Sequence, residues 1–409
     1  MSVTHAQSQF AAPTLRTRTR LAHPALMLFG IVLVALNMRA CLAAVSPISK
    51  EIAATFGLSA TASGMITTVP VLFQGLGAPL TPRLTRRFGA EKVVLGAVLT
   101  LGAGVLLRVL PDVVALYAGC MVIGVAIAVL NVSMPGLVKR EFPAKAATMT
   151  GVYSTTMLVG ATLAAATSVP LERLLGGGWQ GSLAAWSVLA AVAAVAWLPQ
   201  VLKSRQEKAV VAAAPTGTPI ANLWRNGLSW RISVFMGVSS LMVYTLVAWM
   251  PTILVDHGMA KGEAGLVFAF SNLVQVAGAF LVPMVAGRMT RQRGLAVAMA
   301  VLNGVGVTVL LLAPVSGAWL AAGVLGIAQG GSLGLALAFI VLRTRSALGA
   351  AQLGGMTQAV GYLVAAAGPV GAGALHELTG GWELPLVLLL VLAGVAAVAG
   401  WGAGRNQTL

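Results

Sequence analysis

Apolar runs of about twenty residues, twelve of them in series, dominate this 409-residue chain. The runs fall at 24–46, 61–82, 93–110, 113–137, 147–169, 181–200, 231–250, 264–287, 294–313, 317–342, 351–373 and 383–403. About 20 apolar residues, at ~1.5 Å of rise each, cross the ~30 Å hydrocarbon core of a bilayer. Only 9% of the residues are charged and 58% are hydrophobic, far too little charge to cover a soluble surface. The sequence predicts an all-α membrane protein of twelve transmembrane helices. Its 48 glycines suit helices that approach closely in lipid, where small residues let backbones meet.

The charges divide by side. With the N-terminus inside, 21 of the 26 Lys and Arg fall in inner segments, and only Lys50, Arg108, Arg173 and Lys261 fall outside. Positive residues concentrate in cytoplasmic loops, so both termini are expected in the cytoplasm. Arg108 reads as an outer-end residue that snorkels or pairs with Asp112. The net charge of +16 sits in short loops between spans, which excludes a nucleic-acid reading. The basic tail 1–23 resembles the start of a signal peptide, but the following apolar run is too long for one, and it is expected to stay as the first helix. The segment 201–229 is the one long loop, with Lys203, Arg205, Lys208 and a flexible Ala212–Pro219 run, and reads as a cytoplasmic linker. The expected organisation is a tail at 1–23, a six-helix bundle at 24–200, the linker at 201–229, a second six-helix bundle at 230–404 and a short tail at 405–409.

The two halves repeat weakly. Gly124-Val-Ala-Ile leads through a basic loop to Gly151, and Gly326-Ile-Ala-Gln leads through Arg343 and Arg345 to Gly354. Pro47 after span one matches Pro251 after span seven. Parallel repeats of six spans point to a two-lobed transporter that rocks about a central site.

Six-plus-six spans with a cytoplasmic middle loop resemble the major facilitator superfamily. Its usual Gly…Asp-Arg-x-Gly-Arg-Arg signature between spans two and three appears here as GAPLTPRLTRRFGAEK, with Arg86 where the Asp is usual. The second-half loop VPMVAGRMTRQRG lacks the acid as well. The expected replacement is a gate of basic residues set against helix C-termini. The stretches LNMRACLAAVSP, LNVSMPGLVKREFP, TGVYSTTMLVGA, FMGVSSLMVYTLVAWMPTIL, GIAQGGSLGLAL and GMTQAVGYLVAAAGP resemble, more specifically, the cyanate permease and 2-nitroimidazole transporter family. That resemblance implies small solutes as substrates, without naming one.

Arg39 is the residue that demands a partner. It lies inside span one, where a lone cation costs ~2.5–3.5 kcal/mol or more, and no Asp or Glu falls in the middle of any span. Its helical neighbours Ala35 and Ala43 are small. A guanidinium offers a planar donor fork suited to a carboxylate or another small planar anion. The other reading is a structural cation held by carbonyls and amides of adjacent helices. Neutral polar groups at similar depth are Gln74, Asn131, Tyr153, Tyr244, Asn272, Gln275, Gln329, Ser332, Gln358 and Tyr362. They concentrate in spans that line the cavity in the resembled superfamily. Arg39, Asn131, Tyr153, Tyr244, Asn272, Gln275, Gln358 and Tyr362 form the expected substrate site. Trp249 reads as a cavity wall or an interfacial anchor.

His5, His23, His257 and His376 do not cluster as zinc ligands would. Cys41 and Cys120 fall inside spans and read as packing residues. GGSLGLAL lacks the Lys-Ser/Thr of a nucleotide-binding loop. No cofactor, metal or catalytic centre is expected. The leading expectation is a monomeric secondary transporter of a small anion in a bacterial-type inner membrane. It would work by alternating access, with protons as a possible coupling ion and uptake by symport preferred. An exporter of neutral or weakly basic drugs and a non-transporting membrane sensor stay open as alternatives.

Overall fold

A computed structural model describes residues 24–58, 60–176, 178–210, 220 and 222–409. The expected N-terminal tail, 1–23, and residues 211–219 and 221 of the expected linker lie outside the described residues. The described chain forms fourteen α-helices. In the first half these are α1 (Pro24–Ala43), α2 (Ser49–Phe56), α3 (Ala60–Gly77), α4 (Thr81–Phe88), α5 (Ala90–Arg108), α6 (Val113–Glu141), α7 (Ala146–Leu175) and α8 (Gly178–Val210). In the second half they are α9 (Gly227–Asp256), α10 (Lys261–Arg288), α11 (Arg293–Leu312), α12 (Ala318–Leu342), α13 (Ala347–Thr379) and α14 (Glu383–Ala403).

Among the described residues, eleven helices are long and apolar enough to cross a membrane, and the 18-residue α3 takes the remaining place in the series. Short α2 and α4 were not expected. Each follows an expected span that the chain breaks: after Ala43, and at the 3₁₀ turn Ala78–Leu80. Hydropathy also underestimates length. Helices α6, α7, α8, α9 and α13 overrun their apolar runs, because a helix continues into polar surroundings after its hydrophobic stretch ends. Thus α8 runs ten residues into the expected linker.

The two halves use the same pairings. Helix α1 packs on α7 as α9 packs on α13, and α3 on α6 as α10 on α12. Helix α5 packs on α6 and α8 as α11 packs on α12 and α14. The repeated glycines show why. A Cβ on Gly124 of α6 would lie 2.5 Å from the Pro70 carbonyl oxygen of α3, and one on Gly326 of α12 would lie 2.6 Å from the Ser271 carbonyl oxygen of α10. Neither backbone could approach so closely past a methyl group. The second repeated pair serves the seam between halves. Gly151 faces the Phe280 carbonyl of α10, and Gly354 faces the Val132 carbonyl of α6. Helices α3, α6 and α7 meet α10, α12 and α13 along that seam.

The seam is closed at the end of the bundle that carries the basic loops. There Lys139 Nζ donates to the Val341 carbonyl oxygen at 2.8 Å, and Ser154 Oγ donates to the Ala279 carbonyl oxygen at 2.9 Å. A Cβ at Gly136 would lie 3.1 Å from the Ala347 carbonyl oxygen. Behind this closure, buried Arg343 donates to the Ala403 carbonyl oxygen at 3.0 Å and to Gln292 Oε1. Burial lowers this guanidinium to about 10, so it keeps its charge at neutral pH. The final residues fold back here: Leu409 N donates to the Arg343 carbonyl oxygen at 2.7 Å, and Arg345 Nε to Thr408 Oγ1 at 3.1 Å.

Candidate substrate site between the two halves

Arg39 stands in the last turns of α1, at mid-depth of the bundle. Its side chain is largely buried between the halves, with a small part of its surface left uncovered. Its guanidinium carbon lies 5.6 Å from the ring centroid of Tyr244, on α9 of the other half. The buried Tyr244 hydroxyl lies beside the guanidinium without a hydrogen bond of normal geometry. Tyr153 and Tyr362 complete a ring of three tyrosines within electrostatic reach of the cation. No ion pair forms at Arg39 among the described residues; the only ion pairs join Arg140 to Glu91 (2.5 Å) and to Glu141 (2.7 Å).

A hydrogen-bonded layer lies against this ring. Tyr153 Oη donates to Asn131 Oδ1 at 2.7 Å, Asn131 Nδ2 donates to Tyr362 Oη at 3.2 Å, and Gln358 Nε2 donates to the Asn131 carbonyl oxygen at 2.9 Å. Asn131 and Tyr153 belong to the first half, and Tyr362 and Gln358 to the second. The layer therefore joins both halves at the depth where the cation waits. Gln358 Oε1 is buried without a partner, an acceptor left over in the same layer. Met38 Sδ touches the Tyr153 hydroxyl at 3.8 Å, which couples α1 directly to the network and had no signal in the sequence beyond an apolar position.

Six of the eight expected site residues thus gather: Arg39, Asn131, Tyr153, Tyr244, Gln358 and Tyr362. The other two stand apart. Gln275 is buried and donates to Gln329 Oε1 at 3.2 Å, pairing α10 with α12 inside the second half. Asn272 is half-buried on the next turn of α10. Ser332 likewise serves its own half, accepting from Asn303 Nδ2 at 3.3 Å. Gln74 turns back on its own helix, donating to the Pro70 carbonyl oxygen at 3.4 Å. Asn37 faces away from the cavity and ties α1 to α8 by donating to the Leu33 (2.8 Å) and Leu189 (3.2 Å) carbonyl oxygens. Trp249 donates to the Pro369 carbonyl oxygen at 2.8 Å and packs on Trp382.

The expected gate has a physical counterpart. Arg86 and Arg87 of the signature loop are exposed. Instead Lys139 sets its ammonium against the C-terminal carbonyls of α12 across the seam, where a cation meets the negative end of the helix dipole. Such an interaction contributes ~1 kcal/mol. Lys139→Met should therefore shift the closed population about fivefold toward opening of the basic end. Spin-label distances between positions 145 and 288 would read that shift as a longer second population. An unchanged distance distribution would remove Lys139 from the gate.

The sequence profile of the Major Facilitator Superfamily matches residues 27–356. Over 384 residues the chain is 36% identical to the 2-nitroimidazole transporter of Escherichia coli (strain K12), covering 94% of this chain and 96% of that protein. Over 357 residues it is 28% identical to the cyanate transport protein CynX of the same organism, covering 87% and 91%. Among solved structures, the proton:xylose symporter XylE superposes with a TM-score of 0.76, covering 94% of this chain and 97% of that one, at 11% identity.

Proposed function

This chain belongs to the Major Facilitator Superfamily, a multi-pass membrane transporter and not an enzyme, and from that premise we propose that it carries a small planar anion, with Arg39 as the clamp. The observation that carries this reading is a largely buried guanidinium at mid-depth with no carboxylate partner among the described residues. Its charge is left for an incoming solute. An anion entering between the halves would meet a planar donor fork flanked by tyrosine rings. The hydroxyls of Tyr153, Tyr244 and Tyr362 would then fix its orientation. With the basic loops cytoplasmic, the closed end faces the cell interior and the site opens outward. The cycle then requires the Asn131–Tyr362, Asn131–Gln358 and Lys139–Val341 contacts to part, since each spans the two halves. Proton-coupled uptake into the cell by a monomer in the plasma membrane completes the proposal.

A second substrate class is supported by the relative named for 2-nitroimidazole. A nitro group presents two in-plane oxygens much as a carboxylate does, so the same fork could accept it without full charge. Cationic drugs are disfavoured by repulsion from Arg39.

A thermal-shift panel of cyanate, benzoate, 2-nitroimidazole and a cationic amphiphile separates these readings. A true substrate at 100 times its Kd stabilises the protein by ~2.7 kcal/mol. Stabilisation by the anions, followed by their uptake into proteoliposomes, is the expected result. Stabilisation by 2-nitroimidazole alone would select the second class. A response confined to the cationic amphiphile would overturn both.

A further inference from the structure

Arg108, the last residue of α5, is the second buried cation of the first half. It was expected at the outer surface, snorkelling or paired with Asp112. It is instead 1% exposed, and Asp112 is occupied capping α6, where its Oδ2 accepts from Ala115 N at 2.9 Å. Arg108 Nη1 donates to the Cys41 carbonyl oxygen at 2.8 Å. Its Nε and Nη2 are buried without hydrogen-bond partners among the described residues. A cation so poorly compensated must do something that its burial cost does not undo.

What it does is visible at the end of α1. A continuing helix would give the Cys41 carbonyl to Val45 N, but Val45 N bonds to Leu42 O at 3.4 Å instead. The ladder slips from i+4 to i+3, and α1 stops at Ala43. The Cys41 carbonyl is left free at a helix C-terminus, where carbonyls lack partners and the dipole is negative. Arg108 takes that carbonyl with a charged donor. Its own place is fixed from behind: a Cβ on Gly119 of α6 would lie 2.6–2.7 Å from the Arg108 backbone nitrogen, Cα and Cβ. Cys41 is two residues beyond Arg39.

We propose that Arg108 is a positioning residue for the substrate site: a buried cationic cap that ends α1 immediately beyond Arg39 and so fixes where that guanidinium enters the cavity. The proposal rests on the anion-clamp reading for its purpose but not for its geometry. Arg108 also adds a second uncompensated positive charge to the same end of α1, which raises the potential felt by a solute at Arg39.

A substrate-free experiment tests this. Cys41 and Cys120 are fully buried, so a cysteine introduced as Arg39→Cys reports alone to small water-soluble thiol reagents. The probes are an anionic and a cationic methanethiosulfonate, and the readout is the ratio of their modification rates at position 39. In the Arg108→Gln background the anionic-to-cationic ratio should fall about tenfold, and the anionic reagent should react more slowly than with Arg108 present. Arg108→Lys should restore the ratio but not the full rate, because the shorter ammonium keeps the charge without the reach that places Nη1 on the Cys41 carbonyl oxygen. Gly119→Ala, which pushes on the Arg108 backbone, should slow both reagents if Arg108→Gln does not fold. Lower thermal stability with an unchanged ratio and unchanged rates would show a merely structural arginine and overturn the proposal. If the ratio shifts while no anion is transported, the positioning role stands and the clamp reading fails.

Discussion

Arg39→Ala is expected to lower anion transport about a hundredfold while making the protein more resistant to heat. The two signs come from one cause. A hydrogen bond to a charged partner contributes ~1.5–3 kcal/mol, and a bidentate fork makes two, so losing the guanidinium removes about 3 kcal/mol or more from substrate binding. In the empty protein the same group has no ion pair among the described residues, and an intramembrane cation carries a cost of ~2.5–3.5 kcal/mol. Alanine recovers part of that cost. Arg39→Lys should fall between, keeping the charge but losing the planar fork. Initial rates of cyanate or benzoate uptake in proteoliposomes, read beside melting temperatures in detergent, check both signs. An alanine variant that folds and transports at the wild-type rate would remove Arg39 from the mechanism. One that loses activity and stability together would make Arg39 a structural cation.

Gly330→Ala should be the most damaging single methyl group in the second half. Helices α10 and α12 meet through a row of glycines on α12 and Gly278 on α10. A Cβ at Gly330 would overlap the Gln275 carbonyl oxygen, and one at Gly278 would lie 2.5 Å from the Ile327 carbonyl oxygen. Gly326 and Gly334 extend the row against Ser271 and Ala279. The obstructing atoms are backbone, so no rotamer change relieves them. Overpacking of this kind costs ~1–3 kcal/mol, and the upper end applies where two helices must separate. Gly330→Ala should lower the melting temperature by several degrees, and Gly330→Val should prevent folding. Gly96→Ala on α5 is the control. Nothing lies within 4 Å of a Cβ there, and alanine is favoured over glycine in a helix by ~1 kcal/mol. Equal melting temperatures for the Gly330 and Gly96 variants would refute the packing argument.

The glycine row also separates what composition indicates from what it cannot. Abundant glycine implied close helix contacts, and the spacing of Gly124 and Gly326 marked equivalent positions in two halves. That both face a carbonyl of the preceding partner helix became evident only with the helices placed.

Depth, number and order of the spans were legible because lipid imposes a length and a hydropathy on every helix that crosses it. Arg39 was legible for the same reason: a charge in an apolar run has no innocuous explanation. The tyrosines and amides around it were legible as polar groups at similar depth, but depth alone does not separate a cavity wall from an interhelical bond. Rotation about each helix axis decided that, sending Gln275 to Gln329 and Tyr153 to Asn131. Arg108 was misread because its position, three residues before a Pro-Asp loop, suits a surface cation equally well. Only the slip at the end of α1, which frees a carbonyl within its reach, draws it inside. The tertiary structure alone also decided which end of the seam is closed, because both states of a rocking transporter share one sequence and differ only in which contacts across the halves are made.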